Sequence, residues 1–395
     1  MILSRVTAPE PDGILKLMRA FAEDPRPGKI DLGVGVYRDE AGQTPVMRAV
    51  KAAERRLWET ERSKGYVGIP GDPAFLEAIR ALTLGPAGPE ARVAGVATPG
   101  GTGAVRQALD LVRVTAPEAT VWLSEPSWPN HLSILRAIGQ PHRRYRYLDA
   151  ATGGLDREGM RADLEGMAAG DVLLLHGCCH NPSGVDMEAA DWDWAAEACL
   201  ARGVLPVVDL AYQGFGAGLE ADVAGLRRLA AAGPELVLCF SGSKSFGLYR
   251  DRVGAVLALA EGGAARDRVA ARLADLNRQA FTFPPDHGAR VVTTVLADAA
   301  LRADWATELE AYRARVVAMR QALVAALRQE TGSDRFAFLA GHRGMFSLLG
   351  ARREEMDRLR EAHGLYAVQD GRINLAGLTP QNVGAAARAI AAVVA

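Results

Sequence analysis

The chain has 395 residues, 46 Lys+Arg against 47 Asp+Glu, 49% hydrophobic residues and four cysteines. The charge balance argues against general affinity for nucleic acid or an anionic membrane, which needs a basic excess or a basic face. Four cysteines without C-x-x-C spacing exclude a disulfide framework and a zinc ribbon.

At about 100–200 residues per domain, the length predicts two or three domains with a core that needs no metal or disulfide staple. The first residues carry no apolar signal-like run. The longest charge-free apolar run, near 253–260, is far short of the roughly 18 residues of a membrane helix. A cytoplasmic, reducing location is the expectation.

From residue 93, short apolar runs alternate with longer segments of helical periodicity. The runs are 93–97, 120–123, 172–175, 205–209, 236–240 and 254–259. The helical segments between them are 103–113, 130–137, 157–164, 187–201 and 219–231. This alternation predicts βαβ units, hence an α/β fold with a mostly parallel sheet covered on both faces. The last third changes character. A long charged helix at 299–329 precedes strand-like pieces at 336–339 and 345–349, a helix at 352–361 and a strand at 372–375. These predict a smaller α+β unit, with a boundary near 310.

Ligands of open parallel sheets bind outside the carboxyl ends of the strands, and the unusual polar residues here follow the predicted strands. Thr98-Pro99-Gly100-Gly101-Thr102-Gly103 reads either as a tight strand-to-helix turn or as a phosphate cradle at a helix N-terminus. Asp209 stands at a strand end, where a carboxylate is costly without a partner; it reads as a ligand-facing charge with Tyr212, or as a helix cap. Lys244 lies among small residues in Ser241-Gly242-Ser243-Lys244-Ser245, followed by Arg250 and Arg252. Such a lysine is a Schiff-base nucleophile if its surroundings lower its pKa, and otherwise a surface lysine. A P-loop is excluded, because Ser243 precedes Lys244 and Leu238 stands at the first-glycine position.

In His176-Gly177-Cys178-Cys179-His180-Asn181-Pro182 a metal site is disfavoured: adjacent cysteines on a strand point apart, and no second ligand pair has the spacing to close it. Trp192 and Trp194 read as packing, whereas Trp128 sits in a strand-to-helix turn with a face free to stack on a planar ligand. A phosphate cradle, an aromatic plate, a carboxylate, a tyrosine and a special lysine together form the set that holds pyridoxal phosphate.

The chain resembles the class I aminotransferases of the aspartate/aromatic amino acid type, most closely the bacterial aromatic-amino-acid aminotransferases, from about Ile14 to the C-terminus. The resemblance rests on seven motifs in the family's order. They begin at Asp31-Leu32-Gly33-Val34-Gly35-Val36-Tyr37, Thr98, Pro126-Ser127-Trp128-Pro129-Asn130-His131, His176, Asp209-Leu210-Ala211-Tyr212-Gln213-Gly214-Phe215, Ser241 and Gly371-Arg372-Ile373-Asn374-Leu375-Ala376-Gly377.

The resemblance implies the pyridoxal-phosphate-dependent transferase fold (fold type I), with a large cofactor domain at 45–310 and a small domain from both chain ends, 1–44 and 311–395. It implies that Lys244 binds the cofactor covalently and shuttles the proton, and that Asp209 faces the pyridine nitrogen. Tyr212 and Asn181 would bond the phenolic oxygen, and Trp128 would stack on the ring. Gly101, Thr102, Ser241 and Arg252 would hold the phosphate, with Tyr66 reaching it from a partner subunit. Arg372 would fork the substrate α-carboxylate, with Gly35, Trp128 and Asn181 bordering the substrate. Arg278 would reach across a homodimer to a side-chain carboxylate.

Gly100, Ser245 and Phe283 depart from relatives that carry Ser, Asn and Asn; the apolar Phe283 suits aromatic substrates. The implied activity is transamination of phenylalanine, tyrosine, tryptophan, aspartate and glutamate with 2-oxoglutarate by a ping-pong route, without metal, nucleic acid or membrane. A narrow aspartate aminotransferase and a decarboxylase or lyase with the same cofactor are the alternatives.

Overall fold

The computed structural model describes residues 1–8, 13–233 and 235–394. Its strands are β1 (Ile30–Asp31), β2 (Val93–Pro99), β3 (Val121–Glu125), β4 (His142–Arg146), β5 (Val172–His176), β6 (Leu205–Leu210), β7 (Leu236–Ser241), β8 (Val253–Leu259), β9 (Phe346–Leu348), β10 (Leu365–Tyr366) and β11 (Arg372–Asn374). Seven form one sheet in the order β2-β8-β7-β6-β5-β3-β4. Strands β3 to β7 pair in parallel, while β8 lies antiparallel to both β7 and β2.

The central strands read as unbroken Val/Leu runs because both faces are covered. Leu173, Leu175, Val208, Leu210, Leu238 and Phe240 enter one core layer. Their neighbours Val172, Leu174, Val207, Val237 and Cys239 enter the other, against helix Gly100–Thr115. Successive side chains of a strand point to opposite faces, so each strand feeds both layers. Further helices, Pro129–Ile138, Arg157–Leu164, Ala189–Arg202, Ala224–Ala231 and Gly263–Ala280, follow β3, β4, β5, β6 and β8.

Beyond the sheet runs helix Ala299–Thr331, capped by Asp298, whose side chain accepts from the Ala300 and Leu301 amides, and ended by Gly332 in the left-handed region. β9 and β11 pair antiparallel, and β1 pairs in parallel with β10, so the two ends of the chain meet. Two sequence expectations change. Residues 336–339 are not a strand: Ala337–Gly341 forms a 3-10 turn, its apolar run being too short to distinguish the two periods. β4 was not anticipated. It is an edge strand reading His-Arg-Arg-Tyr-Arg, with only Tyr145 fully buried, and charge on an edge blunts further pairing. Among the described residues no helix is long and apolar enough to cross a membrane.

Candidate active site

One cavity opens where the strand ends converge. It is lined by Gly101, Thr102, Trp128, Asn181, Asp209, Tyr212, Ser241, Lys244 and Arg252, with His176, Cys178, Ala211 and Ser243. Residues scattered over 150 positions of sequence thus share one wall because the turns after β2, β3, β5, β6 and β7 open there. Helix Gly100–Thr115 begins directly after β2 and brings its unpaired N-terminal amides to the cavity. Gly100 has φ +72°, and a side chain there would strike the Arg252 guanidinium. Gly254 of β8 packs on the Gly100 backbone so closely that a Cβ would overlap it. The approach is backbone on backbone.

Asp209, on β6, is buried, and burial alone would push its carboxyl upward. The hydrogen bond from His131, to which the nearby Lys244 adds, outweighs this and holds it below the ordinary value. His131 Nε2 lies 2.9 Å from Asp209 Oδ2, and its Nδ1 lies 3.0 Å from Ser127 Oγ. Ser127 Oγ is in turn 3.2 Å from His176 Nε2. Burial pushes His176 down to about 3, so this histidine is neutral at physiological pH. An ionised Asp209 can only accept, so His131 Nε2 is the donor of this bond.

Lys244 follows β7, and its Nζ sits 4.9 Å above the Tyr212 ring. Burial lowers it to about 8; Asp209 opposes the shift, and Arg252 and Arg372 add to it. Burial pushes the Tyr212 hydroxyl well up. Arg252 is fixed by the Tyr249 carbonyl at 3.0 Å and by Ser243 Oγ at 3.4 Å.

Arg372 is buried on β11, donates from Nη1 to Asn181 Oδ1 at 3.1 Å, and lies 4.4 Å over the Phe346 ring. Its Nε is buried without a partner, the condition of a fork that still has a bond to make. Gly35 faces the same ring: a Cβ there would sit 3.0 Å from Phe346 Cζ. Tyr66 and Arg278 are not brought to the cavity. Tyr66 is 87% exposed and stacks on Phe283 at 4.6 Å, and Arg278 is exposed in the last turn of helix Gly263–Ala280. His131, Ser127, Ser243 and Phe346 were not anticipated as site residues. His131 and Ser127 stand in the motif at 126–131, but nothing in that motif points to a bond between His131 and Asp209.

Strand alternation does not hold Cys178 and Cys179 apart, contrary to the expectation. β5 ends at His176, Cys179 has φ +50°, and both sulfurs converge with Asp222, the ligand atoms lying within 4.8 Å of one another. The chemistry still disfavours an ion. Asp222 already accepts the amides of Gly214, Gly216 and Ala217, and the contact with Cys179 together with burial holds the Cys178 thiol well above its usual range.

A buried lysine, an ionised carboxylate, an aromatic plate and a helix N-terminus on a mostly parallel sheet define a fold-type I pyridoxal-phosphate enzyme. The family model for class I and II aminotransferases matches residues 27–390. The chain is 51% identical over 389 residues to an aromatic-amino-acid aminotransferase of Paracoccus denitrificans, covering 98% of this chain and 99% of that one. It is 44% identical to an aspartate aminotransferase of Salmonella typhi, over the full length of both. The crystal structure of an aromatic-amino-acid aminotransferase from Burkholderia pseudomallei, covalently bound to pyridoxal phosphate, superposes with a TM-score of 0.97 at 41% identity, covering all of both chains.

The chain belongs to the class I and II aminotransferases, is an aminotransferase, and uses pyridoxal phosphate. The residues present fit that group. Gly101 leaves open a cradle that a Cβ would close against Ser241, at 2.7 Å, and the cavity lining holds both the anion Asp209 and the cation Arg252.

Proposed function

We propose that the protein transaminates phenylalanine, tyrosine and tryptophan together with aspartate and glutamate, passing the amino group to 2-oxoglutarate by a ping-pong mechanism. The observation that carries this reading is one juxtaposition. The exposed guanidinium of Arg278 lies three and five residues from Phe281 and Phe283, and the Tyr66 ring is stacked on Phe283. A cation beside an apolar wall suits a side-chain carboxylate and an aromatic ring in turn. A narrow aspartate enzyme would be served by the cation alone.

Pyridoxal phosphate, when bound, supplies the electron sink for the bond broken at the substrate α-carbon. Gly101, Thr102, Ser241 and Arg252 would hold its phosphate, Trp128 its ring face, and Tyr212 and Asn181 its phenolic oxygen. Asp209, kept ionised by His131, would hold a proton on the ring nitrogen. The Lys244 amine, with its ammonium form destabilised by burial, takes the substrate α-proton and passes it on. Arg372 receives the α-carboxylate between Asn181 and Phe346.

Tyr66 and Arg278 act in the neighbouring subunit's site. Their exposure, shared by Trp58 at 82%, supports a face covered by a second copy. We divide the chain at 45–310 against 1–44 with 311–395, which sets the boundary inside the continuous helix Ala299–Thr331. The test is kcat/KM for phenylalanine, tyrosine and aspartate with 2-oxoglutarate. All three amino acids turning over efficiently supports the reading, whereas turnover of aspartate alone, or release of carbon dioxide, overturns it.

A further inference from the structure

Arg372 and Asn374 stand two apart on β11 and therefore share a face of the strand, while Ile373 between them is buried in the core. The hydrogen bonds of the Asn374 side chain go to residues outside the cavity lining, and its amide nitrogen is spent on the segment that contains Gly35. Nδ2 donates to the Val34 carbonyl at 2.6 Å and to the Val36 carbonyl at 2.9 Å, using both of its protons. These two carbonyls flank Gly35. The Val36 amide turns back to the Val34 carbonyl at 3.0 Å, so the segment makes a one-residue turn centred on Gly35. The Asn374 backbone amide adds a bond to the Leu32 carbonyl at 2.7 Å.

Asn374 also sits opposite Phe346 in the β9–β11 pairing, and the Phe346 ring is the surface on which the Arg372 guanidinium and the Gly35 backbone both rest. On its far side the segment is held by the Tyr249 hydroxyl, which accepts from the Tyr37 amide at 2.9 Å. The Tyr249 carbonyl accepts from Arg252. The Gly35 turn thus hangs between the strand of Arg372 and the loop of Arg252.

We propose that Asn374 is a positioning residue that fixes the Gly35 turn against Arg372, so that a substrate carboxylate meets both at a set separation. The proposal rests on the reading of Arg372 as the carboxylate fork. No other side chain of β11 can do this: Arg372 is occupied with Asn181, and Ile373 faces the core. Asn374 has a second task, since its Oδ1 accepts the Ala376 amide at 3.0 Å and caps the turn after β11. The two tasks use opposite ends of one carboxamide and can be separated.

Asn374→Asp keeps the acceptor for Ala376 and removes the donor to Val34 and Val36; Asn374→Ala removes both. With the holoenzyme, both variants should raise KM for phenylalanine and aspartate roughly tenfold or more, with kcat within about threefold. The cofactor absorbance of Asn374→Asp should stay close to wild type. Wild-type KM in Asn374→Asp, with only Asn374→Ala impaired, would show that the cap alone matters and would overturn the proposal.

Amide exchange in the wild-type holoenzyme needs no variant to fold. Saturating 3-phenylpropanoate should slow exchange at Val36 and Tyr37, and unchanged exchange there contradicts the coupling. Arg372→Leu separates the two levels. If it leaves KM unaltered, the fork reading itself fails. If it raises KM while Asn374→Asp does not, the positioning role alone fails.

Discussion

His131 donates to Asp209 inside a cavity that would otherwise favour a neutral carboxyl, and the two residues lie 78 apart in sequence. Asp209 was legible as an oddity, a carboxylate in an apolar strand, and Lys244 as a lysine among small residues. What keeps Asp209 charged was not legible, because a histidine in one helix and a carboxylate on a strand two strands away along the sheet share no local pattern. Replacing Asp209 with Ala should lower kcat by on the order of 10²-fold or more, since a charge-assisted partner is lost where the reaction needs it. Near wild-type kcat would reduce Asp209 to a structural role.

Lys244 offers a test without turnover. Its folded-state value of about 8 lies below the ordinary 10.5, so below pH 8 both states carry the proton and the folded state bears the full cost of a buried ammonium. Between pH 8 and 10.5 the unfolded chain holds more protons, and stability climbs with pH. In cofactor-free protein, Lys244→Met should therefore gain up to roughly 3 kcal/mol at pH 7, an advantage that shrinks as pH rises toward 10.5. Denaturant unfolding at pH 7 and 9.5 measures it, and a pH-independent difference contradicts the burial argument.

At the scale of elements, the alternation of apolar runs and helical periods was sufficient to read the central strands, since burial on both faces leaves unbroken Val and Leu. It failed where that physics is absent. β4 is an edge strand whose charged residues face solvent, and the run at 336–339 is packed as a single turn. The helix behind the cradle was legible from its glycines, but not the reason Gly254 must also be glycine. Its α-carbon supports the Gly100 backbone from across the β2–β8 pair. Gly254→Ala should displace the N-terminus of helix Gly100–Thr115 and weaken cofactor retention, roughly tenfold or more in affinity at about 1.4 kcal/mol per decade. Equilibrium titration of cofactor absorbance checks this; an unchanged affinity would show that the helix start yields without loss.

For the whole molecule, Tyr66 and Arg278 matter most, because neither lines the cavity of its own chain and both are exposed. Mixing inactive Lys244→Ala subunits with Arg278→Leu subunits should restore part of the aspartate activity, since each hybrid dimer then holds one complete site. Hybrids that form without regaining activity would place Arg278 in its own subunit's site or outside it.

The most direct measurement is the single-turnover kcat/KM of phenylalanine and of aspartate in the wild type and in Arg278→Leu. Aspartate should lose on the order of 10²–10³-fold, the loss expected when a charged pair forfeits one partner, while phenylalanine changes little. An equal fall for both substrates, or an unchanged value for aspartate, would contradict this expectation.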